Sequence, residues 1–300
     1  MQVRRDNLHL LVHLTFKGMF ESFGRSLELV KTSWSILMSD KKLLVFPVLS
    51  GIVTIAVILT FLLPLFLADG LTKAIFAGSV TSYAILFAYY VVSYFVVIFF
   101  NTALILCVNA KLNGKDMSVG EGLSNAAKHL PAILGWAILS ATVGLVLNLL
   151  EDRAGFIGDI ILSIIGGVWS LITYFVVPVL ILEDKGVFDS VKESVSLMQK
   201  TWGESIIGSA GMAVIFVIVG VIAGFGVFAT IFLDSPVVFG IALALFLILV
   251  VLLAVTYSAM QGIFVTALYT YAKTGSVPSA FDKNLIQNAF VPKQPGAGRI

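Results

Sequence analysis

The sequence predicts an all-α, polytopic membrane protein in which six transmembrane helices form three parallel repeats of an interfacial amphipathic helix plus a hairpin. Hydrophobic residues make up 59% of the 300 residues and charged residues only 12%, about half the charged share of a soluble domain. The mean hydropathy is +1.03, and apolar runs longer than the roughly 18 residues that cross a bilayer recur along the chain. Similar glycine–serine pairs follow alternate runs, which indicates internal repetition.

The apolar runs define six predicted spans, at residues 43–67, 84–108, 131–150, 156–182, 206–233 and 237–272. They divide the chain into an N-terminal cytosolic segment (1–21), a membrane domain (22–273) and a cytosolic C-terminal amphipathic helix with a tail (274–300). Because the residues before the first span carry many charges, we expect no secretory signal peptide there.

Basic residues predict the orientation. Nearly all of the 19 Lys and Arg residues precede the first span, lie around Lys111 or Lys192, or lie in the tail, and the exceptions are Lys73 and Arg153. Lys and Arg remain on the cytosolic side during insertion. We therefore expect a multi-pass protein of the cell membrane with cytosolic N- and C-termini and three outward hairpin turns.

A glycine with a serine four residues on follows each even-numbered span, and a similar pair precedes the first span. The pairs are Gly18 and Ser22, Gly114 and Ser118, Gly186 and Ser190, and Gly275 and Ser279. Glycine adopts the left-handed conformation that ends a helix, and serine caps the start of the next helix. Each pair predicts a turn and then an amphipathic helix. Three such units imply a pseudo-threefold axis along the membrane normal.

Lysine and tryptophan side chains of these amphipathic helices are candidate lipid headgroup contacts: Lys31, Trp34, Lys128, Lys200 and Trp202. Lysine complements a helix C-terminus and reaches anionic headgroups, whereas tryptophan prefers the membrane interface. Membrane lipids are therefore the predicted partners. A protein partner or a second copy of the chain is a further candidate.

Tyr94, Tyr174 and Tyr257 occupy matching positions in the even-numbered spans. Under threefold symmetry they would lie at one depth as an axial collar, although packing is the commoner use of aromatic side chains. Asn101 and Asn148 are expected to form hydrogen bonds across the bundle.

Acidic residues of the outward turns form a second candidate site. Glu151, Asp152 and Asp159, joined by Asp69 and Asp234, have the oxygen ligands of a divalent-cation site or a proton site. The alternative explanation is that these acidic side chains only keep the hairpin turns hydrated.

Several runs resemble a known family: Ser33-Trp34, 41–47, Ser50-Gly51, 135–155, 169–180 with Glu183-Asp184, and 200–205. Together they are similar to a prokaryotic integral membrane family classed as a domain of unknown function, over roughly residues 25–275. The resemblance implies a six-helix membrane domain, broadly like the membrane domain fused to some bacterial glycerophosphodiester phosphodiesterases. It implies no activity and no site residues.

The sequence argues against several classes of function. The net charge of +2 and the dispersed basic residues argue against nucleic acid. His9, His13 and His129 lie in predicted cytosolic segments and no hydrolase motif is present, so we expect neither an enzyme nor a cofactor. A membrane-embedded assembly, lipid-organising or accessory protein is the first expectation. The alternative is a transporter or channel for an apolar or small neutral solute along the pseudo-threefold axis.

Overall fold

A computed structural model describes residues 31–67, 80–151, 155–233 and 235–275. Within these residues the chain is helical and contains no strand. The helices, numbered in chain order, are α1 (31–39), α2 (Val45–Leu67), α3 (Val80–Leu112), α4 (Val119–Lys128), α5 (Leu130–Glu151), α6 (Phe156–Ile172), α7 (Val176–Leu182), α8 (Val187–Lys200), α9 (Trp202–Ala229) and α10 (Pro236–Thr274). Short 3-10 turns precede α2 (Lys41–Leu44) and follow α9 (Thr230–Leu233).

Six stretches of the described chain are helical, long enough and apolar enough to cross a membrane. They are α2, α3, α5, α6 with α7, α9 and α10, which confirms the six predicted spans in number and order. Two helices run about one turn past the predicted ends, α3 at both ends and α9 at its start, because a helix continues into polar sequence beyond its apolar part. With 39 residues, α10 is about 58 Å long, nearly twice the thickness of the hydrocarbon core.

Charged side chains gather at one end of the bundle, here termed the charged end and marked by Asp40, Lys111, Glu183 and Lys273. Lys111 pairs there with Asp40 at 3.6 Å. The amphipathic helix α4 packs against α3, and α8 packs against α7. The opposite end, where α9 leads into α10, is termed the hairpin end.

The buried core lies towards the charged end. It draws mainly on the second half of α3 and on residues 259–269 of α10. The even-numbered spans contact one another, since α3, α7 and α10 meet in pairs. In contrast, the most apolar stretches of α9 and α10 contain no buried residue. Their exposed apolar side chains, such as Ile222 at 66% and Leu245 at 62%, suit a hydrocarbon environment.

The predicted glycine–serine turns form at some positions and not at others. Gly114 is left-handed (φ 72°) and Ser118 caps α4 in a capping box with Glu121, as predicted. Gly275 is also left-handed (φ 69°) and ends α10, whereas Ser279, Gly18 and Ser22 lie outside the described residues.

The prediction for Gly186 and Ser190 is wrong. Asp184 takes the left-handed conformation (φ 52°), the extended Gly186 starts α8, and Ser190 is buried within that helix. The linker between α7 and α8 has four residues, too few for a complete turn followed by a separate serine cap.

Candidate functional site

A cavity of about 280 Å³ lies inside the bundle between α2, α3, the α6–α7 span and α10. We term it the central cavity. Most of its wall is apolar, and its polar wall residues are Ser50, Asn101, Tyr174, Tyr257, Ser258 and Gln261. Ser50 and Tyr174 each lie two to three helical turns from the charged end of their spans. The central cavity therefore occupies the half of the bundle nearer the charged end.

A break in the fourth span brings Tyr174 to the central cavity. Residues 173–175 form a turn between α6 and α7. Pro178 explains this turn, because proline lacks an amide hydrogen and its ring clashes with the carbonyl four residues earlier, here that of Tyr174. The amide of Phe175 donates instead to the buried hydroxyl of Ser194 on α8 at 3.0 Å. The break is thus stabilised from outside the span.

Another wall of the central cavity depends on the close approach of α10 to α3. At Gly262 an added Cβ would lie 2.5 Å from the Cδ2 atom of Leu104 and 3.8 Å from the side-chain oxygen of Asn101. The neighbouring Gln261 donates its amide hydrogen to the Tyr174 hydroxyl at 3.4 Å. Glycine at position 262 therefore lets the carboxamides of Asn101 and Gln261 reach one cavity.

Tyr257 lies one turn before Gln261 on α10 and lines two cavities. One is the central cavity, and the other is an apolar groove of about 300 Å³ between α9 and α10. We term the second the membrane groove, lined by Ala213, Phe216, Val217, Gly220, Val250, Leu253, Ala254 and Tyr257. The Tyr257 ring meets the Phe216 ring edge-on, with centroids 5.5 Å apart.

The structure brings together two tyrosines of the predicted collar. Tyr174 and Tyr257 line the central cavity, whereas Tyr94 does not belong to its described wall. Tyr94 stacks on Tyr90, with ring centroids 6.3 Å apart, and its hydroxyl lies against Gly144 of α5. Matching sequence positions therefore do not share one direction, since Tyr94 faces α5 while Tyr174 and Tyr257 face the central cavity.

The central cavity suits an uncharged ligand. Its wall, as far as the described residues define it, offers hydroxyl and carboxamide groups but no charged side chain. These groups donate and accept hydrogen bonds without carrying net charge. An ionised ligand would lose its hydration here without a compensating charge.

The two asparagines predicted to form hydrogen bonds across the bundle lie in different places. Asn101 belongs to the wall of the central cavity, whereas Asn148 is half-buried on α5 outside it.

Residues 80–279 match the family of unknown function DUF6159, which is two thirds of the 300 residues. The chain belongs to the DUF6159 family. The match confirms membership of an uncharacterised family and includes most of the wall of the central cavity. No curated protein matches the chain.

A second polar cluster of the DUF6159 chain lies at the charged end. This ion-pair network consists of Glu183, Lys185, Glu193, Tyr269 and Lys273. Lys273 contacts both carboxylates at 2.9 Å, and Lys185 contacts Glu183 at 2.9 Å and Glu193 at 3.2 Å. The Tyr269 hydroxyl donates to Glu183 at 2.8 Å. The network joins the end of α10 to α8 and to the linker before it.

Hydrogen bonding keeps the network charged. Partial burial raises the pKa of Glu183, but hydrogen bonds from Lys273, Lys185 and Tyr269 outweigh burial, so this pKa lies below its usual value. Hydrogen bonds from Lys273 and then Lys185 lower the pKa of Glu193, and the bond to Glu183 raises the pKa of Lys185. The sequence patterns did not predict this network, although the charges directly after the fourth span and at the end of the sixth are the signal for it.

The predicted outer acidic cluster is described in part. Glu151 and Asp159 are exposed, and Asp152, Asp69 and Asp234 lie outside the described residues. Asp159 lies in the first turn of α6, where a carboxylate interacts favourably with the helix dipole. The described residues contain no group of three His, Cys, Asp or Glu side chains that could hold a metal ion. The cation site stays a prediction.

The candidate headgroup contacts lie on helices at the charged end of the DUF6159 chain. Lys31, Trp34, Lys128 and Lys200 are exposed on α1, α4 and α8. The side chain of Trp202 lies outside the described part of the structure. Exposure at the charged end is what headgroup contact requires, and the contacts themselves stay a prediction.

Proposed function

We propose that the DUF6159 chain is a non-enzymatic integral membrane protein with a lipid-organising role, which binds an uncharged, lipid-like molecule in the central cavity. One observation carries the proposal. The carboxamides of Asn101 and Gln261, together with several hydroxyl groups, line an otherwise apolar space between helices that can cross a membrane. A wall of this kind orients the polar group of an amphiphile while its apolar part contacts apolar side chains.

We further infer that the charged end faces the cytosol and that both termini are cytosolic. The distribution of Lys and Arg supports this orientation, and so does the position of α4 and α8 at the charged end. The pairwise contacts among α3, α7 and α10 support a pseudo-threefold arrangement of three repeats. An accessory role beside a protein partner or a second copy fits the resemblance to phosphodiesterase-linked membrane domains.

Native mass spectrometry of the purified protein, released from nanodiscs made with cell-derived lipids, tests the binding. We expect an uncharged, lipid-like adduct on the wild type. Gln261→Leu should weaken this binding by about tenfold or more, because it removes one buried hydrogen bond from the ligand site. The exposed Gln199→Leu variant is the matched control and should keep the adduct. A wild type without an adduct, or equal binding by Gln261→Leu, would show that the proposal is wrong.

A transporter or channel for an apolar or small neutral solute is the second candidate. The break in the fourth span favours it, because discontinuous membrane helices form the substrate sites of many transporters. Under this alternative, Tyr174→Ala should change glycerol flux into proteoliposomes, and the exposed Tyr83→Ala variant should not. Equal flux in the two folded variants would remove the transport candidate.

A further inference from the structure

We infer that the ligand of the central cavity has a hydrocarbon chain, which passes Tyr257 and lies in the membrane groove between α9 and α10. The inference rests on the proposed function and adds a second half to the site. It begins from the position of Tyr257, which lines both the central cavity and the membrane groove. A molecule that contacts both sides of this ring would occupy the two spaces at once.

The direction of the membrane groove follows from the two helices. Because α9 and α10 run in opposite directions, the Ala213 end of the groove lies level with Tyr257 and the Gly220 end lies level with Val250. Ala213 and Gly220 are separated by seven helical steps, so the groove extends about 10 Å along the helix axis. One turn beyond Gly220, the Phe246 ring packs on Gly224. This contact lies just beyond the hairpin-end limit of the groove wall.

The polarity of the combined site matches that of a lipid. Hydrogen-bonding groups lie in the central cavity, nearer the charged end, and the groove extends from there towards the hairpin end. A lipid of the leaflet at the charged end has the same orientation, with its polar group at the surface and its chain towards the bilayer centre. The groove has space for a chain, since an added Cβ at Gly220 meets no described atom within 4 Å.

The chemistry of the two walls defines the ligand class. The described walls of both cavities carry no charge, so the polar group is uncharged. Apart from the Tyr257 hydroxyl, the groove wall is hydrocarbon and aromatic carbon, which suits an acyl chain and not a polar headgroup. An uncharged single-chain amphiphile, such as a monoacylglycerol, meets both requirements.

Photocrosslinking of the full chain in nanodiscs tests the inference. The probe is monooleoylglycerol with a diazirine in its acyl chain, and cross-linked peptides are identified by mass spectrometry. We expect cross-links on the faces of α9 and α10 that line the groove. Ala254→Trp, which fills the groove, should remove most of them, whereas Ala244→Trp is an exposed control on α10 outside the groove and should not. Gly220→Leu fills the groove from α9 and replaces Ala254→Trp if that variant does not fold.

The outcomes separate the inference from the proposed function. Both the inference and the proposed function are supported if the groove-filled variant and Gln261→Leu lose the cross-links. Ala244→Trp should keep them. If the groove-filled variant cross-links like the wild type while Gln261→Leu loses the cross-links, the chain lies elsewhere and the inference is overturned. If Gln261→Leu also cross-links like the wild type, the probe does not use the central cavity and the proposed function fails too.

Discussion

Ser194 and the turn at residues 173–175 depend on each other. Proline at position 178 disrupts the helix, and the freed amide of Phe175 is buried, where an unsatisfied donor is costly. The Ser194 hydroxyl accepts that hydrogen bond at 3.0 Å. One side chain of an amphipathic helix therefore helps to fix the tyrosine that lines the central cavity.

Replacing Ser194 by alanine should destabilise the protein by about 1–3 kcal/mol, because the Phe175 amide would stay buried without an acceptor. Thermal unfolding in detergent measures the effect. Ser196→Ala, at a half-buried serine on the same helix, is the control and should change the free energy of unfolding much less. Equal unfolding temperatures for the two variants would contradict the role given to Ser194.

Gly262 offers a second test, because α10 approaches α3 closely there. Gly262→Val should destabilise the protein by about 1–3 kcal/mol through overpacking against the buried Leu104. Gly240→Val is the control on α10, since no described atom lies within 4 Å of an added Cβ there. Thermal unfolding compares the two variants, and a more stable Gly262→Val would show that the approach is looser than described.

At the scale of elements, the ion-pair network links α8 to the end of α10. Its ion pairs are partly exposed, and single exposed pairs contribute little to stability. Here, however, two lysines share two carboxylates, and the Tyr269 hydroxyl adds a hydrogen bond. The linked ion pairs therefore add to the packing of Leu197 and Met198 in the same core cluster as α10.

The network predicts a loss of stability in acid. The pKa values of Glu183 and Glu193 lie below their usual value of 4.5, so the folded state favours the ionised carboxylates. This contribution is present above pH 4.5 and is lost as the pH falls through the folded-state values. Unfolding temperatures measured from neutral pH into this range should fall in the wild type. They should fall less in Lys273→Met, with Lys192→Met as the exposed control. Parallel pH curves for all three proteins would contradict the prediction.

The turns show why some elements could be predicted and others could not. Gly114 and Gly275 end helices in the left-handed conformation, as local sequence predicts, because only nearby residues decide this. Gly186 was predicted to do the same, but the short linker gives that conformation to Asp184. Likewise, Tyr94, Tyr174 and Tyr257 occupy matching sequence positions, but only Tyr174 and Tyr257 line the central cavity. Linker length and the packing of each span thus limit what a sequence repeat can predict.

At the scale of the whole molecule, the six spans were predictable because few structures satisfy every backbone group in hydrocarbon. The length of each apolar run then predicts where a transmembrane helix lies. The central cavity was not predictable, because its wall combines side chains of four spans whose mutual packing no local pattern defines. The sequence predicted a hydrogen bond between helices for Asn101, but no sequence pattern predicted a role for Gln261.

The orientation of the whole molecule can be tested by cysteine labelling. Cys107 is buried, and Cys107→Ala provides a background without cysteine. We expect a membrane-impermeant maleimide to label Glu151→Cys in intact cells and Lys192→Cys only after permeabilisation, because Lys and Arg remain on the cytosolic side. Labelling of Lys192→Cys from outside would reverse the proposed orientation.

An experimental structure of the protein in a lipid nanodisc would show directly whether the central cavity holds an uncharged, lipid-like molecule. We predict ligand density with a polar group beside Asn101 and Gln261 and an apolar part in the rest of the cavity. A cavity closed by packed side chains, or a water-filled path open at both ends of the bundle, would contradict it.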